Sequence, residues 1–216
     1  MGARLLYHFP MSPFSRRVRL ALAHKSLACE LRDARADPTL LDEARTHTPL
    51  RTVPVLVEPD GRALGDSSAI AHYLDHAYPD APPLWPSVDA HAVLEVATLV
   101  DVVLNTLVDV GTRFYAAHAS DAWPGIRREM VGRAQRALDA LADRVGKLAQ
   151  PTVARSGWCA ADMWLFTGAA WLEGLPSRTA TNANVAQIVS LGWSLPPALA
   201  TWVEAHRGRA DVRALE

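Results

Sequence analysis

Pro79-Asp80-Ala81-Pro82-Pro83-Leu84-Trp85-Pro86 places four prolines within eight residues. Proline lacks a backbone N–H and holds φ near −65°, so this stretch cannot continue a helix and favours an extended chain. The sequence changes character on either side of it. Upstream, strand and helix signals alternate. Arg4–Phe9 reads as a strand stopped by Pro10, and Pro13–His24 as a helix with Phe14, Val18, Ala21 and Leu22 on one face. Leu27–Arg32 reads as a second strand. Pro38–His47 is a helix with proline at its start, where the missing N–H costs least. Val53–Val57 is an apolar strand, Glu58-Pro59-Asp60-Gly61 a hairpin turn, Arg62–Leu64 the returning strand and Ser67–Tyr78 a helix. The order is βαβαββα. Downstream, strand signals nearly vanish. Helical patterns run from about Asp89 to His118, Asp121 to Leu148 and Ala160 to Leu172, with shorter ones near Ala183–Leu191 and Pro197–His206. The expectation is a mixed α/β domain over residues 1–80, a linker over 81–88 and an all-helical domain over 89–216. Five of the seven tryptophans lie in the last 60 residues, as core filling in a helical bundle requires.

Composition narrows the class. Of 216 residues, 50% are hydrophobic and 21% charged, which excludes a mainly disordered chain. The 22 basic and 23 acidic groups leave a net charge of −1, so no basic excess points to nucleic acid or an anionic membrane. Cys29 and Cys159 show neither zinc nor redox spacing, so no metal is expected and a reducing compartment is. The start, MGARLLYHFP, makes a poor signal peptide. The most apolar long run, Ala92 to Val108, is broken by Glu95, Asp101 and Asn105, against the roughly 20 apolar residues that a membrane span needs. A cytoplasmic location is expected.

Three loop-to-helix features carry chemistry. In Pro10-Met11-Ser12-Pro13-Phe14-Ser15 a strand ends and a helix begins, exposing free N–H groups and a partial positive charge. A thiolate would be stabilised there, and the Ser12 hydroxyl could donate to one. Serine also caps helices well, and the motif alone favours the cap. Ser12-x-x-Ser15 stands where a redox fold carries Cys-x-x-Cys, so disulfide chemistry is excluded. In Thr52-Val53-Pro54-Val55-Leu56, a cis Val53–Pro54 bond would explain proline within a strand and would free the Val53 backbone for an extended ligand; an ordinary edge strand would explain it too. In Gly65-Asp66-Ser67-Ser68-Ala69-Ile70, Ser67 with backbone N–H groups suits a carboxylate and Asp66 an ammonium, together an amino-acid head group; a plain N-cap is the alternative.

The ordered trio, the proline linker and the helical second half resemble the cytosolic glutathione S-transferases over nearly the whole chain, in their serine-type, bacterial-like form. The resemblance implies a thioredoxin-like first domain that binds glutathione as cosubstrate and an all-helical second domain that shapes the site for a small hydrophobic electrophile. It further implies a homodimer and a detoxifying transferase. Ser12 matches the thiol-activating serine. Val53, before Pro54, matches the residue that pairs with the cysteinyl backbone, and Asp66 and Ser67 match the pair that holds the γ-glutamyl group. Energetically this is reasonable. A thiol titrates near about 8.5, and lowering that by about two units needs roughly 2.7 kcal/mol. One hydroxyl hydrogen bond to an anion supplies about 1.5–3 kcal/mol, and the helix terminus adds to it. The same thiolate would also serve isomerisation, peroxide reduction or dehalogenation. A non-catalytic, transferase-like binding or regulatory protein is the rival class, disfavoured because a scaffold does not require Ser12, Asp66 and Ser67.

Other residues compete for roles. Tyr7 shares a strand face with Leu5 and Phe9, which favours packing, and Ser15 is the weaker rival for thiol activation. Arg51 is a candidate for the glycyl carboxylate, although water is its favoured neighbour. Arg16, Arg17 and Arg19 read as a solvated or ion-paired face. Asp101, Asn105 and Asp109 form a polar stripe at four-residue steps on an otherwise apolar helix, and Arg113 can pair with Asp109. Asn105, Asp109, Arg113 and Tyr115 are the candidate second-substrate residues, with a solvated face or subunit contact equally consistent. Cys159 stands where the family usually has Ser or Thr and caps poorly; Asp162 is placed to cover the start of that helix.

Overall fold

A computed structural model describes residues 3–215, so the outermost residues of the expected domain ranges lie outside it. The alternating half forms strands β1 (Leu5–His8), β2 (Glu30–Asp33), β3 (Val55–Val57) and β4 (Ala63–Gly65), with helices α1 (Pro13–His24), α2 (Pro38–His47) and α3 (Ser67–Ala77). The sheet order is β2-β1-β3-β4. β1 and β2 run parallel with Leu5 opposite Glu30, whereas β3 is antiparallel to both β1 and β4. Strand alternation divides the side chains between two faces. Leu6 and Leu56 turn to one side and join Val18, Ile70 and Leu74 of α1 and α3. Tyr7, Val55 and Val57 turn to the other and cover Ala44 of α2.

The second half is helical: α4 (Ala90–Val108), α5 (Trp123–Gly146), α6 (Ala160–Glu173), α7 (Ala183–Ser190), α8 (Pro197–His206) and α9 (Ala210–Arg213). α6 is its axis and is buried almost all round; it packs on α4 and α8 and also on α1. Its entrance is tied by Asp162, which accepts from the Cys159 and Val153 backbone N–H groups at 3.0 and 2.8 Å. The Cys159 thiol lies 3.2 Å from the same carboxylate, so the carboxylate does the work that a hydroxyl at position 159 would have shared. Trp158, Trp164, Trp171 and Trp202 are buried, as core filling requires.

Two segments differ clearly from the sequence expectation. The second strand starts three residues late, at Glu30, because Leu27 to Cys29 still belong to the loop out of α1; the Leu27 N–H is spent on Leu22 O at 2.9 Å. The long helix expected from Asp89 to His118 stops being α-helical at Val108. It continues as a π-helix over Asp109–Arg113 and a 3-10 helix over Tyr115–Ala119, where Gly111 lets the chain pack against α7. The proline stretch, which contains no helix, is pinned to the end of α3. Asp75 accepts from the Leu84 and Trp85 N–H groups, each at 2.8 Å, and pairs with Lys25 at 2.7 Å. Leu84 is fully buried, and Trp85 stacks on His72 with ring centroids 4.3 Å apart.

Candidate functional site

The turn from β1 to α1 is closed by the Ser12 N–H donating to Phe9 O at 3.0 Å. Ser12 then occupies the N-cap with extended backbone, and Pro13 follows at the first helical position. Its Oγ accepts from Ser15 N–H at 3.4 Å, a long cap bond. A hydroxyl that accepts keeps its own proton to donate, so capping and donation to a ligand are compatible. The rivals are both buried. Ser15 is buried, and its Oγ accepts from Phe9 N–H at 3.2 Å. Tyr7 is buried under α2 and donates to Glu43 Oε1 at 2.6 Å; burial, with Glu43 adding to it, pushes its phenol up to about 12.

Val53 precedes β3, and the Val53–Pro54 bond is cis. At the third feature, Asp66 has φ 71°, which turns the chain sharply out of β4, and its Oδ1 accepts from Ser68 and Ala69 N–H at 3.0 and 2.9 Å. Beside it, the buried Ser67 Oγ accepts from Arg17 Nε at 2.9 Å. Arg17 is itself buried. Its Nη1 donates to Asp101 Oδ1 at 2.5 Å, and Asp101 Oδ2 accepts from Ser68 Oγ at 3.2 Å. The guanidinium lies 4.3 Å from the Trp164 ring centroid and 4.9 Å from that of Phe14. Burial lowers the Arg17 pKa, and the Asp101 carboxylate works against that. Because Ser67 accepts from a cation, its own hydroxyl is polarised toward donating.

Two spaces flank Phe14. The smaller, about 270 Å³, is lined by Thr52, Val53, Pro54, Asp66, Ser67, Asn105 and Arg113. The larger, about 530 Å³, is lined by Phe9, Met11, Ser12, Val108, Thr112, Trp171, Arg178 and Ile188 among others. The sequence candidates therefore divide. Val53, Pro54, Asp66 and Ser67 share one crevice with Asn105 and Arg113, whereas Ser12 faces the larger cavity. Asp109 pairs with Arg113 at 2.8 Å across the π-helix. Tyr115 is exposed and sits edge-on to His118 at 4.6 Å. Arg51 is exposed, with φ 55°, between the lining residues Leu50 and Thr52 but not among them.

Of the solvated or ion-paired face read for Arg16, Arg17 and Arg19, Arg17 takes the ion-paired form, but its burial beside Ser67 was not read from the sequence. An acid at Asp101, inside an otherwise apolar helix, was the available sign that a cation meets it. Sequence reading missed Trp171, Arg178 and the α7 residues, which only the packing of α6 and α7 brings toward Ser12.

Fold and site together define a four-stranded α/β domain with two polar helix entrances, joined to a helical bundle. Residues 6–82 match the family model for the glutathione S-transferase N-terminal domain. In sequence the chain is 37% identical over 120 residues to a probable glutathione S-transferase GSTU1 of Oryza sativa subsp. japonica, covering 51% of this chain and 50% of that protein. The chain thus aligns with about half the length of that relative. In structure it is similar to rice GST1 (OsGSTU1) in complex with glutathione, at 26% identity and TM-score 0.65, covering 98% of this chain and 89% of the other. A glutathione S-transferase of Methylobacillus flagellatus KT with GSH bound has the same fold, at TM-score 0.72 and 24% identity, covering 99% and 98%. The first part of the chain is thus similar in sequence to the glutathione S-transferase N-terminal domain, and the whole chain shares the fold of these glutathione S-transferase structures.

Proposed function

We propose that this protein is a glutathione transferase that presents glutathione as a thiolate to a small electrophile. The observation that carries the reading is the meeting of the two spaces at Phe14: one has the polar entrance of α3, with Asp66 and Ser67, suited to a zwitterionic head group, and the other is largely apolar and has Ser12 on its wall. Glutathione bound in structures of similar proteins supports the same ligand here.

In this reading the γ-glutamyl carboxylate takes the Ser67 hydroxyl and the N–H groups at the start of α3, and its ammonium takes Asp66. Val53 pairs with the cysteinyl backbone, and the thiol extends to Ser12. The Ser12 hydroxyl donates to sulfur, and the start of α1 adds its partial positive charge. Positioning beside an activated nucleophile then suffices for attack. Asn105 and Arg113, expected at the second-substrate site, serve the glutathione crevice instead, and Arg51 faces water. We assign residues 1–80 and 89–216 to two domains joined through 81–88, and propose a homodimer in the cytoplasm.

The test is direct. The protein should bind glutathione and conjugate 1-chloro-2,4-dinitrobenzene, and Ser12→Ala should lower kcat by about 10²-fold, the usual loss for one transition-state donor. Full turnover in Ser12→Ala would remove the assignment.

A further inference from the structure

Arg178 ends the single 3-10 turn that follows α6. Its Nε donates to Gly174 O at 2.9 Å and its Nη2 to Trp171 O at 3.3 Å. These carbonyls are ones that the end of α6 leaves without helical partners. The two bonds fix the guanidinium against the wall of the 530 Å³ cavity that Ser12 also lines. They use two of its five N–H donors, and Nη1 keeps both of its own. Among the described residues, no carboxylate oxygen lies within ion-pairing distance of Arg178. Burial lowers its pKa, with no acidic group offsetting the cost. Arg4 and Arg17 each have a carboxylate at 3.0 Å or less, whereas Arg19, like Arg178, is held by backbone carbonyls, those of Ala214 and Leu215, but lies outside this cavity. Arg178 is thus a half-buried, immobilised cation without a counter-ion, in a cavity large enough for a small molecule. Arg35 also lines the cavity, while Asp33, its one acidic residue, accepts from the Arg35 and Ala36 N–H groups at 2.8 and 3.2 Å. The lining charge is therefore positive by one.

We propose that the electrophile for this cavity carries an anionic group, a carboxylate or sulfonate, which pairs with Arg178 while its apolar body lies against Trp171 and Ile188. This rests on the transferase reading above. For an aryl halide the step balances simply. The glutathione sulfur forms the C–S bond, the halide leaves with the C–halogen electron pair, and the thiol proton passes to solvent. Arg178 touches the substrate at a distance from the reacting carbon, so its part is to orient and select.

Two probes that differ in charge test this. Turnover of 4-chloro-3,5-dinitrobenzoate and 1-chloro-2,4-dinitrobenzene is compared, together with the Kd of the two matching S-aryl glutathione conjugates. The wild type should bind the carboxylated conjugate about tenfold or more tighter, the usual size of a charge-assisted contact. Arg178→Gln should remove that preference and lower the kcat/KM ratio of the two halides by a similar factor. Arg178→Lys, which keeps the charge, should retain most of it. A wild-type Kd ratio near one overturns the proposal whether or not the Gln variant folds, and so does an unchanged ratio in a folded Gln variant. Failure of glutathione and both conjugates to bind the wild type instead overturns the transferase reading, and this proposal with it.

Discussion

Arg17 of α1 and Asp101 of α4 stand 84 residues apart in the chain and meet through a 2.5 Å Nη1···Oδ1 contact. The pair is asymmetric. The Arg17 side chain is enclosed, whereas that of Asp101 keeps 29% of its surface in water. Removing the acid strands a buried cation; removing the cation leaves an acid that water can still reach. Asp101→Leu should therefore destabilise by about 3–5 kcal/mol and Arg17→Met by distinctly less. The double variant should recover part of the loss. Denaturant titration of the three variants checks this, and the reverse order would show that Asp101 is not what holds Arg17 in place.

The π-helical turn that ends α4 depends on a missing side chain. A Cβ on Gly111 would stand 2.6 Å from Ile188 Cγ1 and 3.1 Å from Ile188 Cα, and the second of these is backbone. Alanine normally favours a helix by about 1 kcal/mol over glycine, but displacing α7 costs more. Gly111→Ala should lose about 1–3 kcal/mol, measured by thermal melting. It should also impair turnover, since Ile188 lines the larger cavity. Adding Ile188→Ala should restore some of the stability; a neutral Gly111→Ala would refute the packing argument.

Neither cysteine is suited to nucleophilic work. Burial first, with the nearby acids Glu58 and Glu30 adding, pushes the Cys29 thiol up to about 11 although Arg4 opposes it. Burial and Asp162 push the Cys159 thiol up to about 12. At pH 7 the thiolate fraction is then about one part in 10⁴ or less, and the thiolate is what alkylates. Iodoacetamide should leave both unmodified in the native protein and label both in denaturant, as mass spectrometry would show. Stoichiometric native labelling at either site contradicts this.

Two histidines set a pH dependence of stability. Burial is the leading cause lowering the pKa of both His8 and His24 below the usual 6.5. Between each lowered value and 6.5 the unfolded chain binds more protons than the folded one, so stability falls as pH drops through 6.5 and is fully present above it. Urea midpoints should fall from pH 7.5 to 5.5, and less steeply in His8→Gln, whose side chain does not titrate. An equal slope in that variant would rule out His8 as a source.

Local chemistry was readable in the sequence because its partners lie within three or four residues. The starts of α1 and α2 follow from Pro13 and Pro38, and the caps at Ser12 and Asp66 bond to N–H groups two or three residues on. The i, i+4 pair of Asp109 and Arg113 was readable for the same reason, even though the turn between them is π-helical. β2 was less legible, because strand ends are set by the neighbouring strand and not by their own composition.

By itself the sequence determined the alternation of elements, the proline-rich stretch after α3, the helical second half and the two polar helix entrances. Each is fixed by periodicity or by a bond to a near neighbour. Only the tertiary structure decided that Arg17 is buried and not solvated, that Asn105 and Arg113 share the crevice of Asp66 and Ser67, and that Trp171 and Arg178 stand at the cavity of Ser12. Those placements depend on α1 packing against α6 and on the π-helical turn packing against α7. Whether a charge is buried, and beside what, is a property of such distant contacts, which a run of neighbouring residues does not encode.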